Sequence, residues 1–148
     1  MSKKYSVELT CEQMKVIAKA CELMGRIQMG RIHEVVDHLP LKEELSRSEK
    51  FALKNRLSQL MTAVLPNGID GYTASFCLKH PVLPESNSIL WDIKNVLNYE
   101  VYTDEAIDNG LITAKGERDW SQMISTKYDT PTQYGKEPLP KVTIIENE

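Results

Sequence analysis

Apolar residues recur along the chain with two different periods, and the changes of period mark out its elements. Tyr5, Val7 and Leu9 alternate with polar neighbours, so residues 4–9 read as a short strand or extended arm. Thr10 and Gln13 then stand at capping-box spacing, where a hydroxyl and an amide side chain satisfy each other's backbone N–H groups. Met14, Ile17, Cys21, Met24, Gln28, Ile32, Val35 and Leu39 follow in steps of three and four. That stripe predicts a helix over about 11–39, ended by Pro40.

Ser46 and Glu49 repeat the capping-box spacing. Leu53, Leu57, Leu60, Met61 and Val64 then give a second helix over about 47–65, stopped by Pro66-Asn67-Gly68. Residues 67–87 are turn-rich, with Tyr72, Ala74, Phe76 and Leu78 alternating as in a short strand. His80-Pro81 and Leu83-Pro84 hold the backbone extended. A third helix is predicted from Asn87 or Ser88, buried through Ile89, Leu90, Ile93, Val96, Leu97 and Val101. A short fourth helix follows at Thr103–Asn109, closed by Gly110.

From about residue 111 the periodicity weakens, and Gly116, Pro131, Gly135, Pro138 and Pro140 punctuate a polar stretch. Its end, Lys141-Val142-Thr143-Ile144-Ile145, is apolar and β-prone. Such an end is expected to pair with the N-terminal strand or with another subunit. The pattern therefore predicts a mainly α, compact three-to-four-helix domain with a minor β pair formed by the N- and C-terminal segments. Its length of 148 residues suits one domain: a helical core over 4–110, then an extended, strand-ended segment over 111–148.

One phrase disturbs the first helix. Met24-Gly25-Arg26-Ile27 is repeated five residues later as Met29-Gly30-Arg31-Ile32. Each glycine costs a helix interior about 1 kcal/mol relative to alanine. Close packing, a local break or a bound ligand must offset that cost. Five residues turn a helix by roughly 140° beyond a full circle, so the two glycines do not share a face, nor do the two arginines. A break or bulge near residues 25–30 is the expected consequence. The bland reading is a tight helix crossing with two solvated arginines. The functional one is an arginine-lined groove, because the planar guanidinium forms paired bonds to phosphate or carboxylate.

Charge sharpens this picture. Residues 1–60 carry a net +3 and residues 61–148 a net −6, for −3 in all. An acidic total without a broad basic face argues against duplex DNA as a partner. It leaves room for one small anion, or for head-to-tail meeting of two copies. No apolar run reaches the roughly 18 residues of a membrane span, and the N-terminus lacks an apolar signal core. The three cysteines, Cys11, Cys21 and Cys77, are odd in number and lack metal spacing. They read as free thiols in a reducing, cytoplasmic compartment.

Other candidate chemistry is sparse. In His33-Glu34-Val35-Val36-Asp37-His38 the second histidine falls one residue late for a zincin, so no metal or cofactor is expected. Local i,i+4 pairs on a solvated helix surface account for these charges. Trp91, Tyr99, Tyr102 and Trp120 are candidates for stacking on a base, against ordinary packing. No nucleophile motif, P-loop or dinucleotide fingerprint is present, so no catalytic residue is assigned.

Leu9-Thr10-x-Glu12-Gln13, Met29-Gly30-Arg31 and Leu90-Trp91-Asp92-Ile93-x-x-Val96-Leu97 together resemble small uncharacterised helical accessory proteins of tailed phages. The resemblance covers residues 5–100 and a Glu137-Pro138-Leu139-Pro140 close, and brings no catalytic residue with it. It implies an accessory factor acting in the host cytoplasm. The leading expectation is a non-enzymatic homo-oligomer that sequesters a small anionic, nucleotide-derived ligand and so counters host antiviral signalling. Its candidate ligand-binding residues are Gly25, Arg26, Gly30, Arg31, Trp91, Tyr99 and Tyr102. The alternatives are a protein-binding inhibitor of a host defence protein or a phage assembly factor, and a nucleotide-acting enzyme.

Overall fold

The computed structural model describes residues 5–64, 81–112 and 130–145. Among them the chain is mainly helical. Helix α1 spans Cys11–Gln28, a 3-10 helix spans Ile32–His38, α2 spans Arg47–Thr62 and α3 spans Glu85–Asp108. Both predicted capping boxes form. The Gln13 amide donates to Thr10 Oγ1 at 3.2 Å, and Thr10 N donates to Gln13 Oε1 at 2.8 Å. Ser46 and Glu49 repeat the exchange at the start of α2. Glu49 Oε2 is also held by the Ser46 hydroxyl, which keeps its carboxyl below the ordinary value.

The predicted 11–39 helix breaks at its second glycine. Gly30 N donates to the Ile27 carbonyl at 2.9 Å and Arg31 N to the Arg26 carbonyl at 2.9 Å. These are the two bonds of a Schellman ending, with Gly30 at φ +84° in the left-handed region. The chain resumes as the 3-10 helix. Leu39, extended at ψ 145° before Pro40, ends that in turn.

The predicted break between a third and a fourth helix does not exist. Helix α3 begins at Glu85, earlier than its apolar face suggested, because Pro84 already supplies an extended N-cap. It then runs unbroken to Asp108. Gly110, at φ +70°, closes it with a second Schellman ending, Gly110 N to Ile107 O and Leu111 N to Ala106 O. Leu111 packs back on Ala106 and Ile112.

Helices α1 and α3 lie antiparallel. Lys15 near the start of α1 meets Glu105 near the end of α3 at 2.8 Å, and Gln28 Nε2 donates to Ser86 Oγ at the other end at 3.1 Å. Glu12 shares Lys15, and the two carboxylates raise the lysine's pKa. The crossing uses another line of α1 than the large apolar side chains suggest. Ala18, Gly25 and Met29 are buried, while Met24 and Leu39 are exposed. Small residues let the two backbones approach. Helix α2 packs on the 3-10 helix, and its backbone runs close to neither α1 nor α3.

The minor β pair is not formed among the described residues. Residues 5–10 and 138–145 run without helix or strand, and no backbone ladder joins them. The C-terminal segment is held instead by α3 carboxylates. Tyr134 N and Gly135 N donate to the two oxygens of Asp92 at 2.7 and 2.8 Å, and Lys136 N donates to Glu85 Oε1 at 2.8 Å. The expected strand at 72–78 lies outside the described residues. No helix among the described residues is long and apolar enough to cross a membrane.

Candidate functional site

The best-formed polar assembly sits where α1 crosses the start of α3, and Gly25 makes it possible. A Cβ at Gly25 would stand 3.0 Å from Trp91 Nε1 and 3.3 Å from Cε2, so the indole lies directly against the α1 backbone. The Gly25 carbonyl oxygen accepts from Asn87 Nδ2 at 2.8 Å, and Asn87 is fully buried. The two unfavourable glycines are thus offset differently. One gives a helix crossing its closeness; the other terminates a helix.

Two cations flank the indole. The Arg26 guanidinium carbon is 6.0 Å from the Trp91 ring centroid, and Lys94 Nζ is 5.3 Å away. Both lie within reach of a cation–π attraction. Arg26 is also tied to carboxylates. Its Nη2 is 2.6 Å from Glu22 Oε1, and its Nη1 is 3.0 Å from Glu34 Oε2. Burial pulls the Arg26 pKa down, but Glu22 and Glu34 outweigh it, and the net shift is upward. Arg31 reaches the same Glu34 through Nη2. Glu34 therefore joins the two arginines of the repeat, bridging α1 to the 3-10 helix across the break at Gly30. Lys94 makes no ion pair among the described residues.

Five of the seven predicted ligand-binding residues gather around this crossing: Gly25, Arg26 and Trp91 in contact, with Gly30 and Arg31 joined through the break and Glu34. Tyr99 and Tyr102 do not join them. They lie eight and eleven residues beyond Trp91 on one straight helix, about 12 and 16 Å along its axis. Three buried polar atoms here, Arg31 Nε, Trp91 Nε1 and Asn87 Oδ1, have no hydrogen-bond partner among the described residues. A buried polar atom left unpaired costs stability and favours any group that can complete it.

Sequence reasoning missed Glu22, Glu34 and Lys94 as neighbours of the arginines, and Asn87 and Asp92 as buried polar groups. Asp92 had a visible signal. It stands between Ser88 and Val96 on the i,i+4 line of a helix, where a carboxylate amid core positions asks for a partner. That partner is the peptide chain at 134–135. Gly135 is required there, because a Cβ would stand 3.1 Å from Asp92 Oδ2.

The histidine cluster behaves differently from the expected local i,i+4 pairs. His33 Nδ1 lies 3.1 Å from Ser58 Oγ on α2, and Asp37 takes Lys54 of α2 at 2.6 Å. These polar contacts fasten α2 to the 3-10 helix. Burial lowers the His33 pKa below its ordinary 6.5. No group of three His, Cys, Asp or Glu side chains able to hold a metal occurs among the described residues. Cys11 is exposed and Cys21 half-buried, both as free thiols. Burial pushes the Cys21 thiol up. Cys77 and Trp120 lie outside the described residues.

No family model matches the chain, and neither a curated protein nor a solved structure does.

Proposed function

We propose that the protein is a non-enzymatic binder of a small anionic, ring-bearing ligand of the nucleotide class, taken up at the crossing of α1 and α3. The observation that carries this reading is Trp91 flanked by Arg26 and Lys94, with Arg31 joined to Arg26 through Glu34. Two cations beside one indole, with a third joined through Glu34, offer charge for a phosphate and an aromatic surface for a base. Glu22 and Glu34 already occupy the guanidinium groups, so an incoming anion competes with them. The site therefore favours a multiply charged ligand over a single carboxylate. Joined to the resemblance to small phage proteins, the reading becomes sequestration: a homo-oligomer in the host cytoplasm withholds a nucleotide-derived signal from a defence pathway.

Native mass spectrometry tests it, with a panel of linear and cyclic nucleotides and ADP-ribose derivatives. A retained, unmodified nucleotide at fixed stoichiometry supports the reading, and replacing both Arg26 and Arg31 by glutamine should abolish it, with circular dichroism showing that the helices remain. Glu34→Gln sharpens the test. Removing the competing carboxylate should raise affinity by about tenfold, the worth of roughly 1.4 kcal/mol. Unchanged affinity in the double arginine variant would sink the proposal.

A second reading, a protein-binding inhibitor or assembly factor, is favoured by the exposed apolar side chains of α2, of the turn after it and of the C-terminal end: Phe51, Leu60, Val64, Ile144 and Ile145. It predicts an apo protein indifferent to nucleotides, with a complex weakened by deletion of residues 141–148.

A further inference from the structure

Both described ends of the chain lie outside helix and strand and carry no backbone hydrogen bond to any described residue before Thr10 or after Lys136. Tyr5 and Val7 are 84% and 73% exposed, and Ile144 and Ile145 are 65% and 62% exposed. Isolated extended backbone with alternating apolar side chains is a template for strand pairing. The two sequences fit each other in one antiparallel register. Placing Val7 opposite Val142 sets Tyr5 opposite Ile144 and Leu9 opposite Pro140 on one face. On the other face it sets Ser6 opposite Thr143 and Glu8 opposite Lys141. Apolar thus meets apolar, hydroxyl meets hydroxyl, and opposite charges meet. A slip of one residue brings Val7 against Lys141 or Thr143 and loses the match. Pro140, which lacks an N–H, is tolerated if it takes a non-hydrogen-bonded position. Val142 and Ile144 then take such positions too, where facing side chains are closest.

The geometry argues against this pairing within one chain. Gly135 is clamped at Asp92, whereas the root of the arm lies at the Lys15–Glu105 end of the helix pair. Those two levels of α3 are separated by thirteen residues, about 20 Å of helix. From Gly135 to Pro140 the chain offers five residues, at most about 18 Å even when fully extended, and Leu9 lies beyond the far level. A second copy, turned end for end, would place the root of its own arm at the level of the clamped segment.

We infer that the protein self-associates by reciprocal exchange, residues 5–9 of each copy pairing antiparallel with residues 140–144 of the other, Val7 opposite Val142. A groove of about 370 Å³ lined by Leu9, Glu12, Gln13, Val16 and Ile17 lies at the root of the arm. It gives the apolar face of the strand pair a floor to cover. This inference fills in the oligomer of the proposed function, but it uses no residue of the anion site and holds or fails without any ligand.

The test is site-directed cross-linking in full-length protein carrying Cys11→Ser, so that the exposed native thiol does not compete. Val7→Cys protein and Val142→Cys protein, each with a different tag, are mixed and oxidised. A mixed disulfide between the two tags is expected, and Ser6→Cys mixed with Val142→Cys should give far less. Glu8→Lys or Lys141→Glu alone should weaken self-association about tenfold by sedimentation, because each dimer holds two such pairs, and the combined exchange should restore it. The inference is overturned by three results: no cross-link between tags, cross-linking that ignores the register, or a protein that sediments as a monomer at tens of micromolar.

Discussion

The crossing of α1 with α3 and the seat of α2 on the 3-10 helix are built from opposite materials. The first is close: Ala18 and Gly25 bring the backbones together, Trp91 lies on Gly25, and buried Asn87 and Asp92 bond to main chain. The second is fastened by side-chain polar contacts, His33 to Ser58 and Asp37 to Lys54, and leaves Phe51, Leu60 and Val64 exposed. Hydrogen bonds that reach main chain in a packed site resist opening, whereas a partly exposed ion pair contributes little. The comparison teaches that stability resides in the α1–α3 pair, and that α2 is a satellite able to detach by local unfolding.

The largest effect expected is from Asp92→Ala. It strands two backbone N–H groups at 134 and 135 and frees the C-terminal segment, at a cost of about 3 kcal/mol. Urea unfolding should show the loss, and amide exchange should show protection falling at Tyr134 and Gly135. Gly25→Val comes next. Its side chain must push Trp91 away, and overpacking of this kind costs about 2 kcal/mol. The change in indole environment should appear in near-ultraviolet circular dichroism. Gly30→Ala forces a Cβ into the left-handed region and should cost about 1 kcal/mol, read as a lowered thermal midpoint.

The smallest effect concerns the satellite. Burial disfavours the charged form of His33 in the folded state, with Arg31 and Lys54 nearby also opposing its charge and Glu34 and Asp37 favouring it. Its folded pKa lies below that of the unfolded chain. As pH falls through 6.5 the unfolded chain therefore takes up the proton first, and stability declines until the folded pKa is passed. Protection factors for amide exchange in α2, taken against the intrinsic rate at each pH, should fall in that window while those in α3 do not. An equal fall in both helices would erase the distinction between core and satellite.

Local rules carried the elements well. Both capping boxes stand as spaced, and the break in the doubled phrase follows from a glycine that a straight helix does not want. What stayed hidden was any fact set by tertiary contact. An apolar stripe reports large side chains, so Met24 drew attention while Ala18 and Gly25 made the crossing. The expected fourth helix is simply the last turns of α3, because nothing between Val101 and Thr103 ends a helix. For the site, the sequence pointed to both arginines and to Trp91. It hid Glu22 and Glu34, which neutralise them, since the Arg26–Glu34 pairing depends on how the chain turns at Gly30.

The most direct measurement follows the Trp91 fluorescence of a Trp120→Phe protein as nucleotides are titrated in. A saturable change in Trp91 emission is expected, tighter in Glu34→Gln and lost when Arg26 and Arg31 are both glutamine. An emission that ignores every nucleotide, or a response that persists in the double arginine variant, would contradict it.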